Sequence, residues 1–111
     1  MKKLLIGILA MGLLMAISAW AARAEGGEAV EQLWKSKCAS CHGVDGIGGT
    51  PMGKKLKVHD VHSPEVLKMS KADLIATATK GKGKMPAYET KLTKEQIEHL
   101  VDHMRHLAKE K

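Results

Sequence analysis

Two cysteines, three positions apart and followed at once by a histidine, constrain this chain more than any other feature. The run Cys38-Ala39-Ser40-Cys41-His42 holds every cysteine among its 111 residues. Three chemistries use such a pair: a disulfide, half of a zinc site, or the attachment of a haem. A disulfide would close too short a loop to constrain the unfolded chain much. Zinc wants two more Cys or His ligands at matched spacing, and there is no second cysteine pair. A thioredoxin-type dithiol wants a βαβ context, and none is legible. Haem fits best. Two thiols at this spacing reach the two vinyl groups on one porphyrin edge and form thioethers. His42 then lies under the ring, able to give Nε2 to iron.

The N-terminus supports that reading. Met1, Lys2 and Lys3 form a positive start, and an apolar run follows from Leu4 to about Trp20. Ala22-Arg23-Ala24 has the small-x-small form of a signal-peptidase site. The expectation is an export signal over residues 1–24, cleaved after Ala24, and one domain over 25–111. Haem attachment takes place on the export side of a membrane, so a periplasmic location is expected. A retained segment would instead be an anchor, because the run nearly suffices to span a bilayer.

Charge excludes one class. The whole chain carries +6. Loss of Lys2, Lys3 and Arg23 takes three of eighteen basic residues and none of twelve acidic ones, leaving +3. That is too little for a nucleic-acid binder. Residues 25–111 hold only Trp34 and Tyr88 as aromatics and no Phe. So small a domain is marginal on its own core, and an apolar cofactor would complete it.

Periodicity predicts helices and no strand. Val30, Leu33 and Trp34 share one face of a helix from Glu28 to about Lys37. The glycine-rich stretch from Gly43 to His62 reads as irregular loop. Ser63-Pro64 opens a short helix to about Met69. Ser70, with Asp73 three residues on, caps another that ends at Gly81. Residues 81–91 are loop again. Thr93 and Gln96 form a capping box, and Ile97, Leu100, Val101, Met104 and Leu107 line one face to about Lys109. Loops this long in a small all-α domain need something to pack on.

A second iron ligand is offered by Met85, in a Gly- and Lys-rich loop with no core period. Pro86 restricts its backbone. Met69 and Met104 read as core, and Met52 lies awkwardly close to His42 in sequence. His59 and His62 are rivals, since bis-histidine ligation is chemically reasonable. His99, His103 and His106 fall at i, i+4, i+7 on the last helix, read as a stripe opposite the apolar face. They suit charge tuning of a partner surface better than a metal site.

These pieces together resemble the small class I cytochromes c of bacteria over nearly all of residues 25–111. The matching features are Trp34 four residues before Cys38, CASCHG at 38–43, the glycine-rich loop to Pro51, KGKGKMPAY at 80–88, and LTKEQIEHLVDHMRHL at 92–107. The resemblance implies an all-α fold of four or so helices wrapped around one haem c, with terminal helices crossing. It implies His42 and Met85 as axial ligands, and a Pro51 carbonyl accepting a hydrogen bond from His42 Nδ1. The small residue that often eases the crossing is Val30 here, or Ala29 serves instead. The function implied is one-electron transfer between redox proteins, by a monomer that is not an enzyme. Alternatives are a membrane-anchored haem c subunit of a larger oxidoreductase, and a haem sensor or enzyme if Met85 is not a ligand. Lys35, Lys37, Lys54, Lys55, Lys57, Lys80, Lys82 and Lys84 suit docking on acidic partners.

Overall fold

A computed structural model describes residues 27–110. The expected export segment lies outside them. Helix α1 covers 27–37. It is followed by α2 (Ala39–His42), α3 (Pro51–Leu56), α4 (Pro64–Leu67), α5 (Lys71–Lys80) and α6 (Lys94–Lys109). No strand occurs among the described residues, apart from an isolated bridge between Lys82 and Met85.

The helix starts follow local chemistry. Ser63, Ser70 and Thr93 sit at N-caps, each accepting a backbone N–H three residues on. Asp73 and Gln96 return the bond, so both capping boxes close. Each such cap contributes about 1 kcal/mol. Gly43 and Gly81 end α2 and α5 at positive φ, 82° and 76°, where a side chain is strained.

Helix α3 lies inside the stretch expected to be loop. Thr50 caps it and Pro51 takes its first position, the same signature that marks Ser63-Pro64. Six glycines and prolines between Gly43 and Gly53 hide it by breaking helical periodicity. The Thr50 hydroxyl also donates to the Ser40 carbonyl at 2.7 Å, which staples α3 to α2. A Cβ at Gly53 would overlap the carbonyl oxygens of Cys41 and Gly48. Only glycine lets α3 approach the cysteine segment this closely.

The core is small. Trp34, Ala39, Leu92, Ile97 and Leu100 form a buried cluster, with Leu33, Cys38, Ile75, Tyr88 and Met104 packed around it. Thus α1, α5 and α6 meet beside the first cysteine. The inner face of α6 is the expected one. At the start of α1, Val30 is half-buried and Ala29 exposed, so the larger residue turns inward and Ala29 does not replace it.

Farther from this cluster, a clasp joins the 57–63 loop to the end of α6. His62 Nδ1 lies 2.7 Å from Asp60 Oδ1, and its Nε2 lies 2.6 Å from the Glu110 carbonyl. Ionised Asp60 and a carbonyl can only accept, so both ring nitrogens donate and His62 is an imidazolium. The bond to Asp60, then that to Glu110, raises its pKa above 6.5. Backbone and side-chain bonds from His62 lower that of Asp60 below 3.8. The His62 contribution is full below 6.5 and lost as pH rises through its raised pKa. The Asp60 contribution is full above 3.8 and lost as pH falls through its lowered pKa. The clasp is therefore strongest in mild acid. Thermal melts of the haem-loaded protein should show Tm falling as pH rises above 6.5 and through the raised His62 pKa, and His62→Gln should flatten that fall. An unchanged slope in His62→Gln would show that the clasp contributes nothing.

Candidate haem site

Helical geometry sets out the cysteine segment. The Cys38 N–H donates to the Trp34 carbonyl at 2.9 Å and the His42 N–H to the Cys38 carbonyl at 3.0 Å. Helix α1 therefore runs almost directly into α2. Positions i, i+3 and i+4 share a face, which places Cys38, Cys41 and His42 on one side. Both cysteines are free thiols and half-buried, so the disulfide alternative is not realised. Burial pushes the Cys38 thiol up to about 11, so it is neutral. Among the described residues, no group of three or more His, Cys, Asp or Glu is placed to hold a metal ion.

His42 is held by packing. Burial lowers its pKa below 6.5, so the ring is neutral at pH 7, the form that binds iron. Its Nδ1 is buried and has no hydrogen-bond partner. The bond to Pro51 expected from the resemblance is not formed. Pro51 opens α3, where a carbonyl points along the helix axis into that helix's own hydrogen bonds. The Trp34 ring packs on the imidazole instead, with centroids 5.9 Å apart. Trp34 Nε1–H donates to the Gly43 carbonyl at 3.0 Å, a buried bond. It clamps α1 to the residue after His42.

The Met85 loop is shaped by its glycines. Lys82 and Met85 exchange both backbone hydrogen bonds, at 3.0 and 3.1 Å, across a tight turn. Gly83 supplies a positive φ of 57° within it. A Cβ at Gly81 would come 2.7 Å from the Met85 carbonyl oxygen and 2.9 Å from the Ala87 nitrogen. The loop folds back on the end of α5, where the Tyr88 N–H donates to the Ala78 carbonyl at 3.0 Å. Tyr88 Oη then donates to the Lys37 carbonyl at 2.9 Å. Lys37 directly precedes Cys38, and Tyr88 follows Met85 by three residues. One side chain thus ties the two distant motifs together. Met85 itself is half-buried. Tyr88 was legible only as part of the MPAY run, and nothing in the sequence marks Lys37 as its partner.

The rival ligands are engaged elsewhere or exposed. Both ring nitrogens of His62 are spent in the clasp. His59 is two-thirds exposed and faces Glu65, with Nδ1 at 3.2 Å from the carboxylate. Met52 is exposed. The histidines of α6 do not form one solvent stripe. His99 is exposed and His106 pairs with Glu110 at 3.0 Å. His103 packs on Trp34 with ring centroids 5.4 Å apart. The cause is its register: it follows Leu100 by three and precedes Leu107 by four, so it borders the apolar arc.

The donor set fits a haem c. Two free thiols stand one turn apart, a neutral imidazole adjoins them, and a thioether loop is tied to the same segment through Tyr88. Val44, Ile47 and Met52 on the segment after His42 leave apolar surface open, as a porphyrin neighbour would use. Every lysine of the expected docking set is exposed. Lys80 is bound to Glu89 at 3.0 Å, whereas Lys82 and Lys84 make no ion pair among the described residues.

Known proteins share these features. A family model described as cytochrome C oxidase, cbb3-type, subunit III matches residues 25–104. Cytochrome c6 of Aphanizomenon flos-aquae is 37% identical over 70 residues, spanning 62% of this chain and 76% of that protein. Among solved structures, the KustC0563 c-type cytochrome superposes with a TM-score of 0.65 at 31% identity, covering 71% of this chain and 96% of that one. The fold is accordingly that of an all-α cytochrome c, and the family carries covalently attached haem c. The chain belongs to the c-type cytochromes matched by the cbb3-type oxidase subunit III model, as a small class I member.

Proposed function

We propose that this cytochrome is an exported one-electron carrier, with its haem bonded through Cys38 and Cys41 and ligated by His42 and Met85. The observation that carries the reading is the Tyr88–Lys37 hydrogen bond. It holds the Met85 loop against the segment that bears His42, while His62 has no nitrogen to spare. The haem supplies the one-electron chemistry. The protein's part is to present a neutral imidazole and a thioether, to keep both in one geometry, and to exclude water. A thioether favours ferrous iron and raises the potential relative to bis-histidine. With both axial positions filled, no site is left for a substrate, which supports a carrier over an enzyme.

The ferric protein should show the weak charge-transfer band near the red end of the visible spectrum that marks Fe–S(Met). A spectrum of two nitrogen ligands, without that band, overturns the ligand set. Residues 1–24 act as the export signal in this reading, and 25–111 as the monomeric carrier in the periplasm. The family description also accommodates an anchored oxidase subunit, and whether the secreted chain starts at Glu25 separates the two.

Acidic redox proteins are the proposed partners. Lys82 and Lys84 flank Met85 in sequence and are exposed. Salt screens such charges over about 10 Å at 0.1 M, so electron transfer to an acidic partner should slow as ionic strength rises. Lys82→Glu and Lys84→Glu should slow it further, about tenfold together at low salt. The potential should barely move, because exposed charges reach iron only through high dielectric. Stopped-flow rates indifferent to salt and to both substitutions would remove the docking face.

A further inference from the structure

His103 sits half-buried on α6 where the apolar arc ends. Its imidazole packs on the Trp34 indole, with planes 53° apart. The same indole packs on His42 and is fixed by its bond to the Gly43 carbonyl. One rigid side chain therefore touches both the proposed axial imidazole and a second, titratable one. The charges that face His103 are few. Glu31 on α1 and Glu110 at the end of α6 favour its protonated form, and His106 on α6 opposes it. Burial is the strongest influence and holds its pKa below 6.5. Partial exposure leaves a route for protons from solvent.

Resting on the reading of His42 as an axial ligand, we infer that His103 is a redox-linked proton site, which binds a proton more tightly when the iron is ferrous than when it is ferric. Ferric iron carries one more positive charge, and a second positive charge nearby is less favourable beside it. His103 takes a fraction of a proton from water as a one-electron donor delivers its electron, and returns it on oxidation. Only the proton's bond to His103 forms or breaks. Linkage is reciprocal, so protonated His103 favours reduction, and the potential falls as pH rises through the His103 titration. Coupled sites typically differ in affinity by about 5–150-fold. A tenfold difference corresponds to about 59 mV for one electron.

The test uses the haem-loaded protein. Its potential is followed by spectroelectrochemistry from about pH 4.5 to 8, and the His103 pKa is read by NMR in each oxidation state. The expected result is a downward step in potential with rising pH, and a higher His103 pKa in the ferrous protein. His103→Gln should remove the step. His103→Phe keeps a ring against Trp34 and should also remove it, which separates the proton from the packing. His106→Gln should keep it. A step that survives both His103 variants, or one His103 pKa common to both states, overturns the inference. Failure of the axial reading looks different: the wild-type spectrum would lack a nitrogen-ligated low-spin haem, while the two NMR pKa values would still decide whether His103 is linked.

Discussion

Met85→Ala should produce a cytochrome that binds cyanide when ferric and carbon monoxide when ferrous, and that has lost its Fe–S(Met) band. The loop bearing Met85 is fixed from both sides. Gly81 allows the fold-back onto α5, and Tyr88 anchors the far side to Lys37. Removal of the thioether should therefore leave a vacancy at neutral pH, because the rival histidines are held elsewhere and the amines of Lys82 and Lys84 are protonated there. His62 is bonded at both nitrogens and His59 faces Glu65. Axial ligands move haem potentials over about 0.8 V, so this substitution should lower the potential far more than any surface change. Met52→Ala, at an exposed position, should leave spectrum and potential unaltered. If Met85→Ala keeps the wild-type spectrum while His59→Ala or His62→Ala changes it, the sixth ligand is a histidine.

The second large effect concerns folding. Chain carrying Cys38→Ala and Cys41→Ala, made without haem, should be largely unfolded by circular dichroism. Eight apolar residues are buried among those described, and no polar or charged residue joins them. Three of the eight, Ala39, Val61 and Val101, are small, so each contributes less than a buried Leu or Trp. The stretches 43–50, 57–63 and 81–93 are irregular, and Val61 and Leu92 are the only apolar side chains they bury to offset their ordering entropy. Much of that backbone lies next in sequence to His42 or Met85. A covalently held porphyrin would supply the apolar surface these segments lack. A cooperative thermal transition in the haem-free variant would mean that the helices suffice without it. The haem-loaded wild type, melted in parallel, sets the scale.

Elements whose causes are local can be read from the order of residues. Ser63, Ser70 and Thr93 each accept a bond from three residues away, so the starts of α4, α5 and α6 were legible. The inner face of α6 followed from periodicity, because successive turns of one helix must present the same side. The haem chemistry was legible too, since thiol reach depends on the Cys38–Cys41 spacing alone. Helix α3 escapes the periodicity although Thr50-Pro51 announces it, because Gly53 serves close packing on Cys41 rather than flexibility. Tertiary structure decided which partner each side chain met. Spacing could not show that His62 spends one nitrogen on Asp60 and the other on Glu110, which lies 48 residues beyond it. Nor could it show that His42 Nδ1 lacks the Pro51 carbonyl, or that Tyr88 reaches Lys37. The register of His103 puts it at the border of the apolar arc, but that its neighbour there is Trp34 of α1 was decided by the packing of the two helices. A residue's face is set by its own helix, but its environment is set by whichever distant segment packs there, and that depends on the whole chain.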